Sequence, residues 1–299
     1  MDVVISGSSG LIGSALVEAL PPAGHRPIRL VRRAPRPGHD EVTWDPVEGT
    51  LDAGALEGVD AVVNLAGAGI GERRWSERYK REVLDSRVRS TGLLAATLAG
   101  LARPPKVLLS ASGAHYYGDR GSEVLTEDSA PGTGFLAGVV RQWEAAAQPA
   151  IDAGVTTTFL RSAVVLARRG GALGKQLPLF RLGLGGRIGS GTQYLSWITL
   201  ADQVAAMIHL LERPLAGPVN LSSPNPVTNL TFTKALGRVL RRPTLLPVPT
   251  FALKALLGAE MAQELLLSSL RVLPSRLELA GFGFQHREIE PALQAVLDR

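Results

Sequence analysis

Val3-Val4-Ile5-Ser6-Gly7-Ser8-Ser9-Gly10-Leu11-Ile12-Gly13 decides how the rest of the chain is read. A short apolar, β-branched run ends at a glycine, and an apolar-periodic stretch from Leu11 to Leu20 follows it. The three glycines therefore lie at G-x-x-G-x-x-G between a predicted strand and a predicted helix. Gly7 permits the tight turn, Gly10 lets the backbone approach a pyrophosphate, and Gly13 lets the helix pack closely on the strand. Ser8, Ser9, Leu11 and Ile12 complete the loop, whose free N–H groups and positive helix end attract an anion. A glycine triplet alone is weak evidence. Its place after a strand and before a helix, at the start of a βαβ run, makes it a dinucleotide cradle.

Outward from this loop, strand-like and helix-like segments alternate. Ile28-Arg29-Leu30-Val31, Ala61-Val62-Val63-Asn64-Leu65, Val107-Leu108-Leu109-Ser110 and Thr157-Thr158-Phe159-Leu160 read as strands, with helical patterns at 86–101 and 136–150. Right-handed crossovers between parallel strands give an α/β fold, a Rossmann-type doubly wound parallel sheet with helices on both faces. Residues 1–166 are expected to form the dinucleotide-binding domain, with a returning segment near 195–222. Residues 167–299 are expected to supply a Gly-rich substrate loop and a smaller α-rich C-terminal cap, packed with the sheet as one compact unit.

Arg168 to Gly191 holds too many glycines for a continuous helix and is expected to be loop-rich. Its backbone N–H groups, with Arg181 or Arg187, suit an anionic ligand, and a tight chain crossing is the plainer alternative. Two cap helices are predicted, at 232–240 and 251–270. The leucines of the second are expected in the cap core, with a dimer seam as the alternative.

Composition narrows the function. The hydrophobic fraction of 45% and charged fraction of 20% are those of a folded globular chain. Without a single Cys there is no disulfide, thiolate metal site or cysteine nucleophile, and no metal site is expected. The net charge of +5 comes from scattered Arg pairs without interleaved aromatic residues, so a small anionic molecule is expected as the ligand rather than nucleic acid. The amino terminus does not read as a signal peptide, and no apolar run reaches the ~18 residues of a membrane span. A cytoplasmic monomer or homodimer without membrane partners is the expectation.

The second strand ends at Arg32-Arg33. An acidic residue at this point would hold the ribose 2′-hydroxyl of NAD, whereas arginine accommodates the 2′-phosphate of NADP. The expected cofactor is therefore NADP(H), with Arg32 as the first partner and Arg33 as the second.

Further phrases carry a resemblance. The glycine triplet, Asn64-Leu65-Ala66-Gly67, and Ser110-Ala111-Ser112 running into Tyr116-Tyr117-Gly118 resemble the extended short-chain dehydrogenase/reductase superfamily. Arg74-Trp75-Ser76, Trp143-Glu144-Ala145-Ala146, Phe180 to Gly186 and Ser196-Trp197-Ile198 are similar to its atypical nucleoside-diphosphate-sugar-epimerase-like branch. That branch ends in a domain of undefined function, which Pro226 through Phe282 resembles. The resemblance implies that Leu65, Ala66 and Gly67 pass close to the cofactor, that Glu82, Arg87 and Ser110 line the same cleft, and that Val165 approaches the nicotinamide.

Active members of the superfamily pair a Tyr with a Lys four residues later, because a phenol of pKa about 10 needs a nearby cation to work at neutral pH. No Y-x-x-x-K occurs in this chain. With Glu144 aligned to the acidic residue that follows the pair, Leu136 stands for the Tyr and Val140 for the Lys, and neither moves a proton. Ser112, Tyr116 and Tyr117 remain as candidate catalytic residues. Two readings stay open: an NADP(H)-dependent oxidoreductase or epimerase that uses them, and a catalytically inactive NADP(H)-binding sensor or scaffold.

Overall fold

Strand-forming runs and amphipathic helices alternate as expected through the first half, and the computed structural model describes residues 1–298. In chain order these are β1 (Asp2–Ser6), α1 (Leu11–Ala19), β2 (Arg26–Val31), β3 (Glu41–Asp45), β4 (Thr50–Leu51), β5 (Ala61–Asn64) and α2 (Glu77–Ala99). Then follow β6 (Val107–Gly113), β7 (Val124–Leu125), α3 (Phe135–Ala145), α4 (Gln148–Asp152), β8 (Thr156–Ser162) and β9 (Val164–Leu166). The second half adds α5 (Gly171–Arg181), β10 (Tyr194–Leu195), β11 (Trp197–Thr199), α6 (Leu200–Glu212), β12 (Gly217–Leu221), α7 (Asn229–Leu240) and α8 (Thr250–Leu257).

The main sheet runs β12-β8-β6-β5-β1-β2-β3-β4. Every neighbouring pair is parallel except the terminal β3–β4 ribbon. Strand order reverses beside β1, so the carboxyl ends of β1 and β5 flank a switch point, where ligands of such sheets bind. Alternation along the strands divides the core. Val3, Ile5, Val63 and Leu109 pack under α1 and α6 with Leu16, Met207 and Leu210, whereas Val4, Val62 and Leu108 face Leu94 and Leu98 of α2. A third cluster joins Leu173, Leu177 and Phe180 of α5 to Trp197, Phe232, Leu236, Ile289 and Leu293, and forms the heart of the mostly helical C-terminal region. Among the described residues no helix is long and apolar enough to cross a membrane.

Two expectations are corrected. The stretch expected to be loop-rich contains the eleven-residue helix α5. Its glycines stand mainly at the ends, with Gly170, Gly171 and Gly183 at positive φ. Between them Leu173, Leu177 and Phe180 recur at helical spacing and are buried, so burial outweighs the poor propensity of Gly174. The leucine-rich segment from Phe251 is likewise not one core helix. Gly258, at φ 94°, breaks it after α8, and Gln263–Leu267 forms a π-turn. No residue of α8 is buried, and Phe251 and Leu256 are exposed.

Candidate functional site: a dinucleotide cradle beneath a helical cap

The three glycines of the opening loop have different surroundings, and protein atoms crowd only Gly7 and Gly13. Gly7 has φ 66°, and a Cβ there would lie 2.6 Å from the Leu65 carbonyl oxygen. A Cβ on Gly13 would lie 2.2 Å from the Gly7 carbonyl oxygen. At Gly10 a side chain would meet only that same oxygen, at 3.3 Å, and is otherwise open. Gly10 is also the N-cap of α1, makes no side-chain cap and precedes no acidic residue in the first turn. The amino end of α1 thus presents unsatisfied N–H groups to open space, as a pyrophosphate requires. Ser8 is buried, Ser9 is exposed, and Leu11 and Ile12 are half-buried. Leu11 touches the Gly170–Gly171 corner at the start of α5.

The far wall of the cradle is the chain leaving β5. Ser6 donates its hydroxyl to Asn64 Oδ1 at 2.6 Å and accepts from the Leu65 N–H at 3.1 Å. Asn64 donates to Thr91 Oγ1 at 2.8 Å, and the same oxygen accepts from the Trp143 indole at 2.9 Å. This buried chain ties β1, β5, α2 and α3 together under Leu65, Ala66 and Gly67. Arg87 supports the same loop from α2. Its Nη1 donates to the carbonyls of Ala68 and Val83, both at 2.9 Å, and its guanidinium lies 5.0 Å from the Trp143 ring centroid. Burial lowers its pKa to about 10, which leaves it charged at neutral pH. Glu82 instead sits on the exposed face of α2, 3.9 Å from Arg73. Ser110 lies beside Asn64 in the sheet register, fully buried, with no hydrogen-bond partner for its hydroxyl among the described residues.

At the end of β2 the two arginines part company. Arg33 forms a bidentate pair with Glu41, at 2.8 and 2.7 Å, and Arg36 donates to the same carboxylate. These donors hold the Glu41 carboxyl far below the usual carboxylate range. Arg32 is exposed and makes no hydrogen bond or ion pair with a described residue. Val165, on the β9 strand that pairs with β11, is half-buried and lies beside Gly171.

Beyond β6 a buried polar cluster engages two of the three acid/base candidates. Ser112 donates its hydroxyl to Glu144 Oε1 at 2.6 Å, and Glu144 is bidentate to Arg161, both bonds 2.9 Å. Arg161 also donates to the Tyr117 hydroxyl at 3.2 Å, which in turn donates to Asn220 Oδ1 at 2.7 Å. Tyr117 is 0% exposed, and burial pushes its phenol pKa up, away from the neutral range an acid/base group needs. Tyr116 is half-buried. Its ring is covered by the Arg161 guanidinium at 3.4 Å and meets Tyr117 edge to face, and its hydroxyl bonds no described residue. Leu136 and Val140 are both buried, and Val140 closes against Gly113 at the strand end.

Several residues of this site were not singled out from the sequence. Arg161 interrupts the apolar run of β8, and a charge there is itself a signal of a buried partner. His115 is half-buried near Arg87, and desolvation with that neighbouring charge lowers its pKa to about 4. Glu264, on the π-turn, accepts from the N–H groups of Phe135 and Leu136, both at 2.7 Å, and so caps α3 from the C-terminal region. Among the described residues no group of acidic or histidine side chains is arranged to hold a metal.

A switch-point cradle, an open helix amino end and a carboxyl-end cleft define an NAD(P)-binding protein of the short-chain dehydrogenase/reductase type. The sequence pattern of the NAD dependent epimerase/dehydratase family matches residues 3–222, and the chain belongs to that family. Residues 248–296 match a domain of unknown function, DUF1731. The chain is 48% identical over 294 residues to epimerase family protein Mb2239 of Mycobacterium bovis, covering 97% of this chain and 96% of that protein. It is 38% identical to human epimerase family protein SDR39U1, covering 99% of this chain and all of that one. The crystal structure of human SDR39U1 with NADPH superposes with a TM-score of 0.90 at 36% identity, covering 100% and 99% of the two chains. A nucleoside-diphosphate sugar epimerase from Corynebacterium glutamicum superposes with a TM-score of 0.81 at 36% identity, covering 99% of this chain and 58% of that one.

Proposed function

We propose that the chain is an NADP(H)-binding oxidoreductase or epimerase-like protein acting on a small molecule, with nucleotide sugars the first class to test. The observation that carries the cofactor choice is Arg32. It is exposed and unpaired among the described residues, while Glu41 occupies Arg33 and Arg36. A free guanidinium at the end of β2 suits a 2′-phosphate. In this reading Gly7 to Gly13 hold the pyrophosphate, Leu65 to Gly67 border it, and Val165 lies toward the nicotinamide. The human relative crystallised with NADPH supports the same choice.

When bound, the nicotinamide supplies or accepts the hydride. What remains for the chain is to hold the substrate and move one proton. Tyr116 is the residue proposed for that proton, since its hydroxyl is unengaged; Ser112 and Tyr117 hold the frame that seats its ring on Arg161. Two observations favour the alternative, a binding protein that turns nothing over: Leu136 and Val140 stand where the family resemblance places the acid/base pair, and the Ser112 hydroxyl already donates its hydrogen bond to Glu144.

Titration with NADPH and NADH, read by quenching of Trp emission, tests the cofactor. NADPH is expected to bind more tightly, and Arg32→Ala is expected to remove that preference; equal affinities in the parent protein overturn it. Oxidation of bound NADPH by nucleotide-linked keto sugars, compared between the parent protein and Tyr116→Phe, separates the readings. Turnover that the variant loses supports the enzyme, and tight NADPH binding without any turnover supports the silent binder.

A further inference from the structure

The charge of this chain is unevenly placed. Residues 167–199 and 213–258 together contain eleven Lys and Arg and no Asp or Glu, while the remainder of the chain is net acidic. Within this basic region the chain folds an unusual edge. Residues 182–189 run beside 243–250: Gly183 lies against Pro243, Gly186 against the Leu246 carbonyl, and Ile188 bridges Val248. Leu182 is 72% exposed, Leu245 87%, Leu246 69% and Phe251 75%. Arg181, Arg241, Arg242 and Lys254 are exposed along the same two segments and α8, with no acidic partner among the described residues.

An apolar strip this exposed is unfavourable in water unless something covers it. The backbone adds a second observation. Arg241 is the only non-glycine residue with positive φ among the described residues, at 53°, and it ends α7 where glycine is the unstrained choice. The left-handed turn closes α7, with the Arg241 N–H donating to the Arg238 carbonyl and the Arg242 N–H to the Gly237 carbonyl, and it leaves both arginine side chains exposed a few residues before Leu245 and Leu246.

We propose that this edge docks on the surface of a bilayer containing anionic lipids. Leucines and a phenylalanine that insert at the headgroup boundary, flanked by arginines and a lysine facing the phosphates, are the two signals that reversible surface binding requires. That no described helix is long and apolar enough to cross a membrane is no obstacle, since docking needs none. Leucine is not a base-stacking side chain, which sets nucleic acid second. The edge shares no residue with the Gly7 to Gly13 cradle, so the proposal goes beyond the cofactor reading and stands or falls separately from it.

The test sediments the full chain, loaded with NADPH, with vesicles of phosphatidylcholine alone and of phosphatidylcholine mixed with phosphatidylserine. Binding to the anionic vesicles and not to the neutral ones is expected, with release at high salt. The double variant Arg241→Gln with Arg242→Gln is expected to bind roughly thirtyfold more weakly, about fivefold for each cation. Leu245→Glu with Leu246→Glu is expected to abolish binding, with unchanged circular dichroism and NADPH titration reporting an intact fold in both. Equal sedimentation with both vesicle types overturns the proposal. So does a dimer, seen by light scattering, that the Leu245→Glu and Leu246→Glu variant splits, because a second copy then covers the edge. An RNA gel shift lost in the arginine variant, without vesicle binding, overturns it as well.

Discussion

Replacing the three loop glycines one at a time separates what the cradle does for the fold from what it does for a ligand. Gly13→Ala places a methyl 2.2 Å from the Gly7 carbonyl oxygen and 2.9 Å from two further backbone atoms. Ordinary contact begins near 3.4 Å, so α1 must retreat from β1 by about an ångström and disturb the packing of Leu16 beneath it. The expected loss is about 1–3 kcal/mol or somewhat more, the range of an overpacked core. Gly7→Ala combines a left-handed backbone, worth about 1–2 kcal/mol, with contact at 2.6 Å to Leu65 O, and is expected to cost as much. Gly10→Ala differs, because its methyl meets protein only at 3.3 Å and otherwise fills the ligand space. Its stability is expected to stay within about 1 kcal/mol of the parent, as for an N-cap Gly exchanged for Ala. Its NADPH affinity is expected to fall at least about tenfold, or 1.4 kcal/mol. Urea unfolding and NADPH titration on the same three proteins read both quantities. If Gly10→Ala binds NADPH as the parent does, the amino end of α1 is not the pyrophosphate site. If Gly13→Ala is as stable as the parent, the packing argument fails.

Other perturbations probe the polar frame. Arg161→Met leaves the Glu144 carboxylate in a largely closed site without its cation, and is expected to lower stability by about 3–5 kcal/mol in urea unfolding. Tyr117→Phe removes the bridge between Arg161 and Asn220; a loss of about 1–3 kcal/mol with unchanged NADPH affinity is expected, and a large affinity change would mean that Tyr117 touches the ligand. The Glu41 carboxyl titrates below its unfolded value, so its contribution is complete above the unfolded pKa of about 4.3 and is lost as pH falls through the folded one. Urea midpoints recorded downward from pH 5 are expected to fall less steeply for Glu41→Gln than for the parent. His115, with its pKa lowered to about 4, is expected to show a flat imidazole NMR shift across neutral pH, and titration near pH 6.5 would place it in water instead.

What the sequence declared was whatever is settled by near neighbours. Strand, glycine turn and helix follow one another within Val3 to Leu20, and the alternation of strands with helices implies a parallel, doubly wound sheet, whereas the strand order is set by the fold. Arg32 ranks ahead of Arg33 in the sequence only because it comes first after β2, and the fold adds a physical difference between them, because Glu41 on the adjacent strand engages Arg33 and not Arg32. The same holds at Tyr116-Tyr117, where two adjacent rings received opposite surroundings from Arg161 and Asn220, more than 40 and 100 residues away. Helix α5 was hidden by its glycines, whose cost is local, whereas the cluster that buries Leu177 and Phe180 is not. Helix α8 failed in the opposite direction: its composition suits a core, yet the fold leaves it outside.

The carboxylate of Glu264 completes the first turn of α3, although the two lie in segments matched by separate family patterns. Lys80 of α2 reaches Glu260 across the same seam. The C-terminal segment is therefore not a detachable module. A truncation before residue 248 removes the acceptor for two amides of a helix that shapes the cleft, and a chimaera with a foreign C-terminal segment inherits the same gap unless it brings a carboxylate to that point.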